Sequence, residues 1–334
     1  MVFAFEQKLH ESWPTSHWMN RTVLLAVSGG ADSVSLACAM ASIRTQGEGR
    51  LALVHFNHQL RESESDQDAQ YVQQLADQLN VACYIGQGNV RQQSKQRGDG
   101  IEEAARNARY QFFCEQAKLT GARFVATAHT ADDQVETVLQ RIIRGTGVAG
   151  LSGIPRSRVL TQDVSLIRPL LKFTRVEVIA YLKQLNQSYR EDQSNTDLLF
   201  SRNRVRHRLL PLLREEFSPD VDQAITRLSK IASDCKSFVQ EEAEQLLLRC
   251  TISATTNPNC VTLNRTELKT ASPYLVQEMF VLLWDQQTWS RQDLSHDKLA
   301  RLVEMIRTET GHLQLPGNIQ VKVTEDQVVL TALG

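Results

Sequence analysis

The chain has 334 residues, which is enough for about two domains. With 42% hydrophobic and 22% charged residues it has the composition of a globular protein, which excludes a collagen-like, coiled-coil or wholly disordered chain. The net charge is only −1, but the segment from Arg141 to Arg214 carries fourteen basic and five acidic residues, a net charge of +9. Such a segment can attract a polyanionic ligand, and a solvated helical surface explains it equally well.

The apolar runs of the sequence are all shorter than the about 18 residues that a membrane-spanning helix needs. The segment Met1–Trp18 contains acidic residues and histidines instead of an apolar signal core. We therefore expect a cytoplasmic protein without a membrane partner. The six cysteines are scattered and none has CxxC spacing, so the sequence indicates neither a zinc ribbon nor a set of cluster ligands.

The first two hundred residues alternate between short apolar runs and segments of helical periodicity. The predicted strands are Thr22–Val27, Leu51–Phe56, Val81–Ile85, Phe124–Ala128 and Val164–Leu171. The predicted helices are Ala31–Ile43, Asp66–Leu79, Glu102–Lys118, Ala131–Ile143 and Thr174–Leu185. This alternation predicts an α/β fold, with a parallel twisted sheet that carries helices on both faces.

The remaining residues have a different pattern, and we predict two domains, residues 1–213 and 214–334. The second domain should contain a long amphipathic helix over Val221–Arg249 and a polar loop over Thr251–Cys260. Shorter helices are predicted at Pro273–Asp285 and His296–Arg307. Gly311–Leu333 contains the run HLQL, a Pro-Gly-Asn turn, and then the runs IQVKV and QVVLTAL. We therefore expect a smaller, mainly helical domain that ends in a β-hairpin.

The motif SGGADS follows the first predicted strand and opens a helix. Its glycines allow a ligand to approach the backbone, and the N–H groups of the helix start can bind phosphate. A tight turn with a helix cap is the alternative, but the full motif after a buried strand favours an anion site. Asp32 is a candidate Mg²⁺ ligand. There is no P-loop lysine, which argues against classical transfer of a γ-phosphoryl group.

Polar motifs follow the second and fourth predicted strands. The first is HFNHQLR, in which a metal site is disfavoured because a strand directs His55 and His58 to opposite faces. The second is TAHTADDQVET, which brings Asp133 and Glu136 to one helix face near His129. Such a carboxylate pair can bind an ammonium group or a metal, or it can simply complement the helix dipole.

Two arginine-rich segments are further candidates. IEEAARNARY places Arg106 and Arg109 on one side of a helix, which suits a negatively charged transition state, although a ladder of surface ion pairs has the same spacing. The second segment, around Asn203, contains Arg202, Arg204 and Arg206. Its arginine density favours phosphate contacts, and a polar linker is the alternative.

Together these motifs, with RGTGVAGLSGI and IRPLL, closely resemble the tRNA(Ile)-lysidine synthetase family of the N-type ATP pyrophosphatase superfamily. The order of the motifs matches, and the resemblance covers about Thr22–Leu213. It implies an adenine nucleotide alpha hydrolase-like fold and a ligase that uses ATP and Mg²⁺. The substrates would be a tRNA(Ile) with a CAU anticodon and free L-lysine. ATP would adenylate C2 of the wobble cytidine with release of pyrophosphate, and lysine would then displace AMP to form lysidine. The resemblance leaves open whether the protein forms a homodimer.

The resemblance also implies roles for individual residues. Lysine would bind to Asp133 and Glu136, and the metal to Asp32. The catalytic residues would be Asp32, Arg109, Asp133, Arg202 and Arg204. The ATP-binding residues would be Ser28, Gly29, Gly30, Ala31, Asp32, Ser33, His55, Arg61 and His129. The family's tRNA contacts would lie in the basic segment and in the domain of residues 214–334.

Three alternatives remain at this stage. A tRNA thiolase shares the ATP loop, but it would be expected to use cysteines for sulfur delivery, and the sequence has no CxxC. An amidotransferase resembling GMP or NAD synthetase would need an ammonia source, and no glutaminase-like extension is present. A non-catalytic RNA-binding module would not need the charged residues of all the motifs. Some members of the resembled family carry a further C-terminal domain, so recognition of distant tRNA regions is left open.

Overall fold

The computed structural model describes residues 3–44, 47–59, 62–90, 100–190, 201–254 and 260–333. The chain forms two compact units, Met1–Ser229 and Lys230–Gly334. The division between them falls inside one long helix, Val221–Cys250. In the described residues, no helix combines the length and the apolar character needed to cross a bilayer.

A six-stranded sheet forms the centre of the first unit. Its strands are β1 (Val23–Ala26), β2 (Leu51–Asn57), β3 (Ala82–Gln87), β4 (Phe124–Ala126), β5 (Ser157–Thr161) and β6 (Val164–Ile167). The order is β3-β2-β1-β4-β6-β5, and all neighbours are parallel except β5, which runs antiparallel to β6 at the edge. The carboxyl ends of β1, β2, β4 and β6 therefore lie along one edge of the sheet, where ligands of parallel α/β proteins collect.

Helices cover both faces of this sheet. They are α1 (Ala4–Ser12), α2 (Ala31–Ile43), α3 (Glu62–Leu79), α4 (Ile101–Thr120), α5 (Ala131–Arg144), α6 (Val148–Leu151) and α7 (Arg175–Gln184). Neighbouring strand residues belong to different cores: Leu25 packs in one cluster, and Leu24 in another with Phe113 of α4. Because successive strand residues point to opposite faces, these two cores require helices on both sides. The predicted α/β architecture is confirmed.

A helical segment follows the region of α7. We call it α8 (residues 201–217), and it combines short α-helical stretches with π-helical turns at Val205–Leu209 and Leu213–Phe217. The next helix is α9 (Val221–Cys250). Turns of π-helix are rare and occur often at functional sites. The arginines predicted as phosphate contacts therefore lie on a helix and not in a polar linker.

The second unit packs helices against an antiparallel sheet. Its further elements are α10 (Arg265–Thr270), α11 (Pro273–Gln286), α12 (His296–Thr308), β7 (Thr251–Ala254), β8 (Cys260–Asn264), β9 (Gly311–Leu315), β10 (Ile319–Val323) and β11 (Gln327–Ala332). The sheet order is β7-β8-β11-β10-β9. The predicted terminal β-structure is confirmed as part of this larger sheet. The predicted loop Thr251–Cys260 instead begins with β7 and ends at the first residue of β8, while residues 255–259 lie outside the described residues.

One buried arginine connects the elements of this unit. Arg265 is 3% exposed, and its guanidinium donates hydrogen bonds to the backbone carbonyls of Ile306 at 2.7 Å, Thr324 at 2.7 Å and Glu309 at 2.6 Å. These carbonyls belong to the end of α12 and to the loops that follow α12 and β10. Arg265 thereby satisfies acceptors that a helix end leaves without intrahelical partners.

Candidate active site

The loop Ser28–Ser33 connects β1 to α2 and holds its own shape. Gly29 has a φ of +96°, which favours glycine, and a Cβ there would lie 3.3 Å from Cγ of Arg190. The Ser28 N–H donates to Ser33 Oγ at 3.2 Å, and the Ser33 hydroxyl donates to the Gly30 carbonyl at 2.9 Å. Among the residues that the structure describes, no side chain caps α2 at Gly30, so the N–H groups of the first turn are available to an anion.

Asp32 lies on the first turn of α2 beside this loop. Its Oδ2 is 2.6 Å from Nη1 of Arg175, whereas its buried Oδ1 has no hydrogen-bond partner among the described residues. Burial raises the pKa of Asp32, and the ion pair with Arg175 opposes that rise. The backbone N–H of Arg175 also donates to Oδ2 of Asp132 at 2.7 Å. Arg175 therefore connects the starts of α2, α5 and α7.

Two histidines at the carboxyl edge of the sheet are uncharged at neutral pH. Nδ1 of His55 lies 2.8 Å from the Val27 carbonyl, which can only accept, so this nitrogen carries the proton. Burial lowers the pKa of His55. Burial also lowers the pKa of His129 to about 4, and its Nδ1 is 3.1 Å from the Thr127 hydroxyl oxygen. Neutral imidazoles of this kind can hydrogen-bond a nucleotide without adding charge.

Asp133 and Glu136 share a face of α5, as the spacing predicts. Oδ2 of Asp133 accepts a hydrogen bond from the backbone N–H of the cap residue Thr130 at 2.8 Å. Glu136 is 1% exposed although it is a carboxylate. A carboxylate is almost never buried to this extent without a partner, which points to bound cations.

The cations bound to this pair are two arginines of α8. Arg202 donates from Nε to Oε2 of Glu136 at 2.8 Å and from Nη2 to Oδ1 of Asp133 at 2.5 Å. Arg206 donates from Nε to Oε1 of Glu136 at 2.5 Å. Each oxygen of Glu136 thus has its own guanidinium partner, and this carboxylate pair faces two positive charges.

The other predicted arginines take different positions. Arg109 is half-buried on α4, and burial lowers its pKa. Burial lowers the pKa values of His58 and His129, and the charge of Arg109 lowers them further. Arg204 is exposed on α8 and makes no ion pair with Asp133 or Glu136. The predicted ATP-binding residue Arg61 lies outside the described residues.

These residues form one site along the carboxyl edge of the sheet. The charges of Asp133 and Arg206 both act on the carboxyl of Asp32, so the phosphate loop and the carboxylate pair are electrostatically coupled. Across the residues whose surroundings are described, no cluster of three or more metal-ligating side chains occurs. A metal at Asp32 would therefore take most of its ligands from phosphate and water, as Mg²⁺ does.

Sequence reasoning missed three arginines of this site. Arg175 pairs with Asp32, and Arg190 packs on the loop, where its N–H donates to the Gly29 carbonyl at 2.9 Å. Arg206 was noted only as one member of a basic segment. Its i,i+4 spacing from Arg202 is the signal that could have placed both on one helix face.

Comparison with known proteins identifies the family. A family model described as a PP-loop domain matches residues 3–213. A tRNA(Ile)-lysidine synthase of Rhodopirellula baltica is 31% identical over an alignment that covers 90% of this chain and 84% of that protein. The chain belongs to the tRNA(Ile)-lysidine synthase family of PP-loop proteins. A second family member, from Porphyromonas gingivalis strain W83, is 39% identical over 70% of this chain and 50% of its own length.

Length and fold complete the comparison. The chain spans about half the length of several family members that it matches, among them the proteins from Porphyromonas gingivalis and Geobacter sulfurreducens. A solved U34-tRNA thiolase, NcsA from Methanococcus maripaludis, superposes with a TM-score of 0.55 at 18% identity and covers 69% of this chain and 78% of its own. At this identity the likeness shows a shared fold.

Proposed function

We propose that this chain ligates lysine to C2 of the wobble cytidine of a CAU-anticodon tRNA(Ile). ATP adenylates the C2 carbonyl oxygen and pyrophosphate leaves. The lysine ε-amine then attacks C2 and AMP departs, which yields lysidine. Family membership supports this reaction, and one observation carries it for this chain. Glu136, a carboxylate that is almost fully buried, binds cationic side chains close to the loop Ser28–Ser33.

ATP would bind with its phosphates on the loop. The N–H groups at the start of α2 suit the pyrophosphate that leaves. We therefore assign ATP binding to Ser28, Gly29, Gly30, Ala31, Asp32 and Ser33. Oδ1 of Asp32, which has no hydrogen-bond partner among the described residues, fits a Mg²⁺ ion, because magnesium is held by one or two carboxylates together with phosphate oxygens. Magnesium would neutralise charge on the leaving pyrophosphate. His55 and His129 would contact the nucleotide, and Arg61 stays a prediction for the same role.

Lysine would bind to Asp133 and Glu136. These two carboxylates are already neutralised by Arg202 and Arg206, so a further ammonium group binds well only if a guanidinium moves away. The phosphoryl group of ATP offers Arg202 an alternative anion. We therefore assign to Arg202 an exchange from the carboxylates to the phosphoryl group, which frees a carboxylate to bind lysine and to accept its proton.

Arg109 and Arg204 complete the proposed catalytic set. Arg109 has no carboxylate within ion-pair distance among the side chains that the structure describes, so its charge is available to the transferring phosphoryl group. Arg204 is exposed and suits a contact with phosphate of the tRNA. We assign the basic segment and residues 214–334 to tRNA binding, and the cytoplasm as the location. A homodimer remains a prediction.

The test of this function is pyrophosphate release from ATP. It is measured with tRNA and lysine together, with each alone, and with neither. We expect release to require the CAU-anticodon tRNA(Ile), and AMP to appear only when lysine is also added. Release that needs no RNA would contradict the proposal. A tRNA(Met) transcript with the same anticodon serves as the matched substrate control.

A further inference from the structure

Four arginines surround the ring of Tyr110, and we call them the Tyr110 arginine cluster: Arg106, Arg109, Arg158 and Arg168. The guanidinium carbons of Arg158, Arg106 and Arg109 lie 4.9, 5.0 and 5.9 Å from the ring centre. Arg168 interacts with the Tyr110 hydroxyl. The cluster joins the first turns of α4 to the edge strand β5 and to the end of β6, which are distant in sequence.

Arg168 forms the buried base of the cluster, and Arg106 and Arg158 form its exposed rim. Arg168 is 3% exposed, its Nη1 donates to the Pro155 carbonyl at 2.7 Å, and its Nε has no partner among the described residues. Arg106 and Arg158 are exposed. Burial lowers the pKa of Arg168, the interaction with Tyr110 opposes this, and the nearby charges of Arg158 and Arg106 lower the pKa as well. The protein thus holds four like charges close together, and the innermost of them, Arg168, is shielded from solvent.

The positive charge of the cluster is not balanced by the described side chains. None of their carboxylates lies within ion-pair distance of these four arginines. Stacking of a guanidinium on an aromatic ring stabilises a pair, but it does not explain why several guanidinium groups crowd one ring. An anion bound between the exposed arginines would relieve their repulsion. Two planar guanidinium groups can each bind a phosphate group in bidentate geometry.

The position of the cluster indicates which anion it binds. Arg109 lies within electrostatic range of His58 and His129 at the carboxyl edge of the sheet, and Arg168 directly follows β6 at the same edge. The rim arginines therefore lie beside the candidate active site, on the side of β6 and β5. An extended polyanion that places one nucleotide in the site would run its backbone past this rim.

We infer that Arg106 and Arg158 bind a backbone phosphate of the RNA next to the nucleotide that reacts, and that Tyr110 and Arg168 position them. This inference rests on the proposed function for the identity of the RNA. It specifies a phosphate-binding surface on the edge strand β5, within the basic segment that the proposed function assigns to tRNA binding. Arg158 is the most direct candidate for this contact, because it is exposed and its guanidinium carbon lies 4.9 Å from the ring centre of Tyr110.

The test is the salt dependence of RNA binding. The probe is a fluorescently labelled anticodon stem-loop with a CAU anticodon, titrated by anisotropy from about 50 to 200 mM KCl. For Arg158→Ala and Arg106→Ala we expect the slope of log affinity against log salt to be shallower by about 0.7–0.9 for each lost phosphate contact. ATP binding should stay at the wild-type level. A wild-type slope in Arg158→Ala would overturn the inference.

Three further variants sharpen the result. Arg158→Lys should keep the slope and lose affinity, because an ammonium group still neutralises charge but lacks the planar fork. Tyr110→Leu should lower affinity at every salt concentration with little change of slope, since all the charges remain; unchanged affinity would remove its positioning role. Arg123→Ala is the matched control, because Arg123 pairs with the exposed Asp163 at the amino ends of β4 and β6, away from the candidate active site.

The outcomes also separate this inference from the proposed function. If the wild type forms no lysidine but the slope changes as expected, the phosphate site stands and the function fails. If lysidine forms and the slope of Arg158→Ala equals that of the wild type, the function stands and the phosphate site fails.

Discussion

The substitution Glu136→Gln tests what the carboxylate pair contributes to the stability of the fold and what it contributes to lysine binding. The substitution keeps the shape of the side chain and removes the charge that faces Arg202 at 2.8 Å and Arg206 at 2.5 Å. Breaking a fully buried ion pair costs about 3–5 kcal/mol. Both arginines are roughly 40% exposed, with side-chain values of 43% and 37%, so solvent screens their charges. We therefore expect a loss of about 1–2 kcal/mol in the free energy of unfolding.

The effect on lysine should be larger than the effect on ATP. A hydrogen bond between charged groups contributes about 1.5–3 kcal/mol, so the KM for lysine should rise by about ten- to a hundredfold. The KM for ATP should stay near the wild-type value, because Glu136 does not belong to the phosphate loop. Adenylated tRNA should accumulate if activation does not require bound lysine.

The assay is a lysine titration at saturating ATP and tRNA, with adenylated and finished tRNA separated on a gel. Glu115→Gln on α4 is the matched control, since Glu115 is exposed and its one hydrogen bond within the described part of the chain comes from Gln111 on the same helix. Asp133→Asn should raise the KM for lysine as well. It should also lose about 1 kcal/mol of stability, because Asp133 closes the capping box with Thr130.

Arg206→Gln tests the same site by removing a cation instead of a carboxylate. It leaves both carboxylates in place and removes one of the two charges that compete with lysine, so the KM for lysine should fall. A variant of Glu136 or Asp133 with a normal KM for lysine and lost ATP binding would refute the assignment. The pair would then be a nucleotide or metal site.

Three further predictions concern the metal, the second unit and pH. Asp32→Asn should nearly abolish pyrophosphate release, because an amide is a poor Mg²⁺ ligand, while the urea midpoint stays close to that of the wild type; normal release would rule out this role. Arg265→Met should lower the free energy of unfolding by about 3–5 kcal/mol in urea titrations, because several buried carbonyls lose their donor; an unchanged midpoint would contradict this. The pKa of His129 is lowered from 6.5 to about 4, so the unfolded chain binds the proton first and stability falls as the pH drops through that range. His129→Gln should reduce this slope by up to about 1.4 kcal/mol per pH unit, and an identical slope would exclude His129 as its source.

Local patterns were sufficient to predict the architecture. The buried strands are short apolar runs, and a helix such as the one predicted at Asp66–Leu79 repeats its apolar residues with a 3.6-residue period, so the order of these elements follows from the sequence. The edge strand β5 was missed, because Ser157–Thr161 is mostly exposed and has neither an apolar run nor alternation. The strand β7 lies in a segment that is rich in polar residues and was predicted as a loop.

The site was predictable only where its residues are close in sequence. Asp133 and Glu136 share a face because they are three positions apart on one helix. The partner of Glu136, Arg206, is 70 positions away, and Arg175 lies even farther from Asp32. No local spacing encodes such pairs, since they depend on how the strands order in the sheet. For the same reason the sequence did not reveal that arginines of α8 bind the predicted lysine site.

The central claim is that this chain makes lysidine, and nucleoside mass spectrometry tests it most directly. A CAU-anticodon tRNA(Ile) transcript is incubated with the protein, ATP, Mg²⁺ and isotopically labelled lysine, then digested to nucleosides. We predict one new nucleoside with the mass of cytidine plus lysine minus water, which carries the label and is absent when ATP or lysine is left out. An unmodified wobble cytidine, or a thiolated nucleoside in its place, would contradict the account.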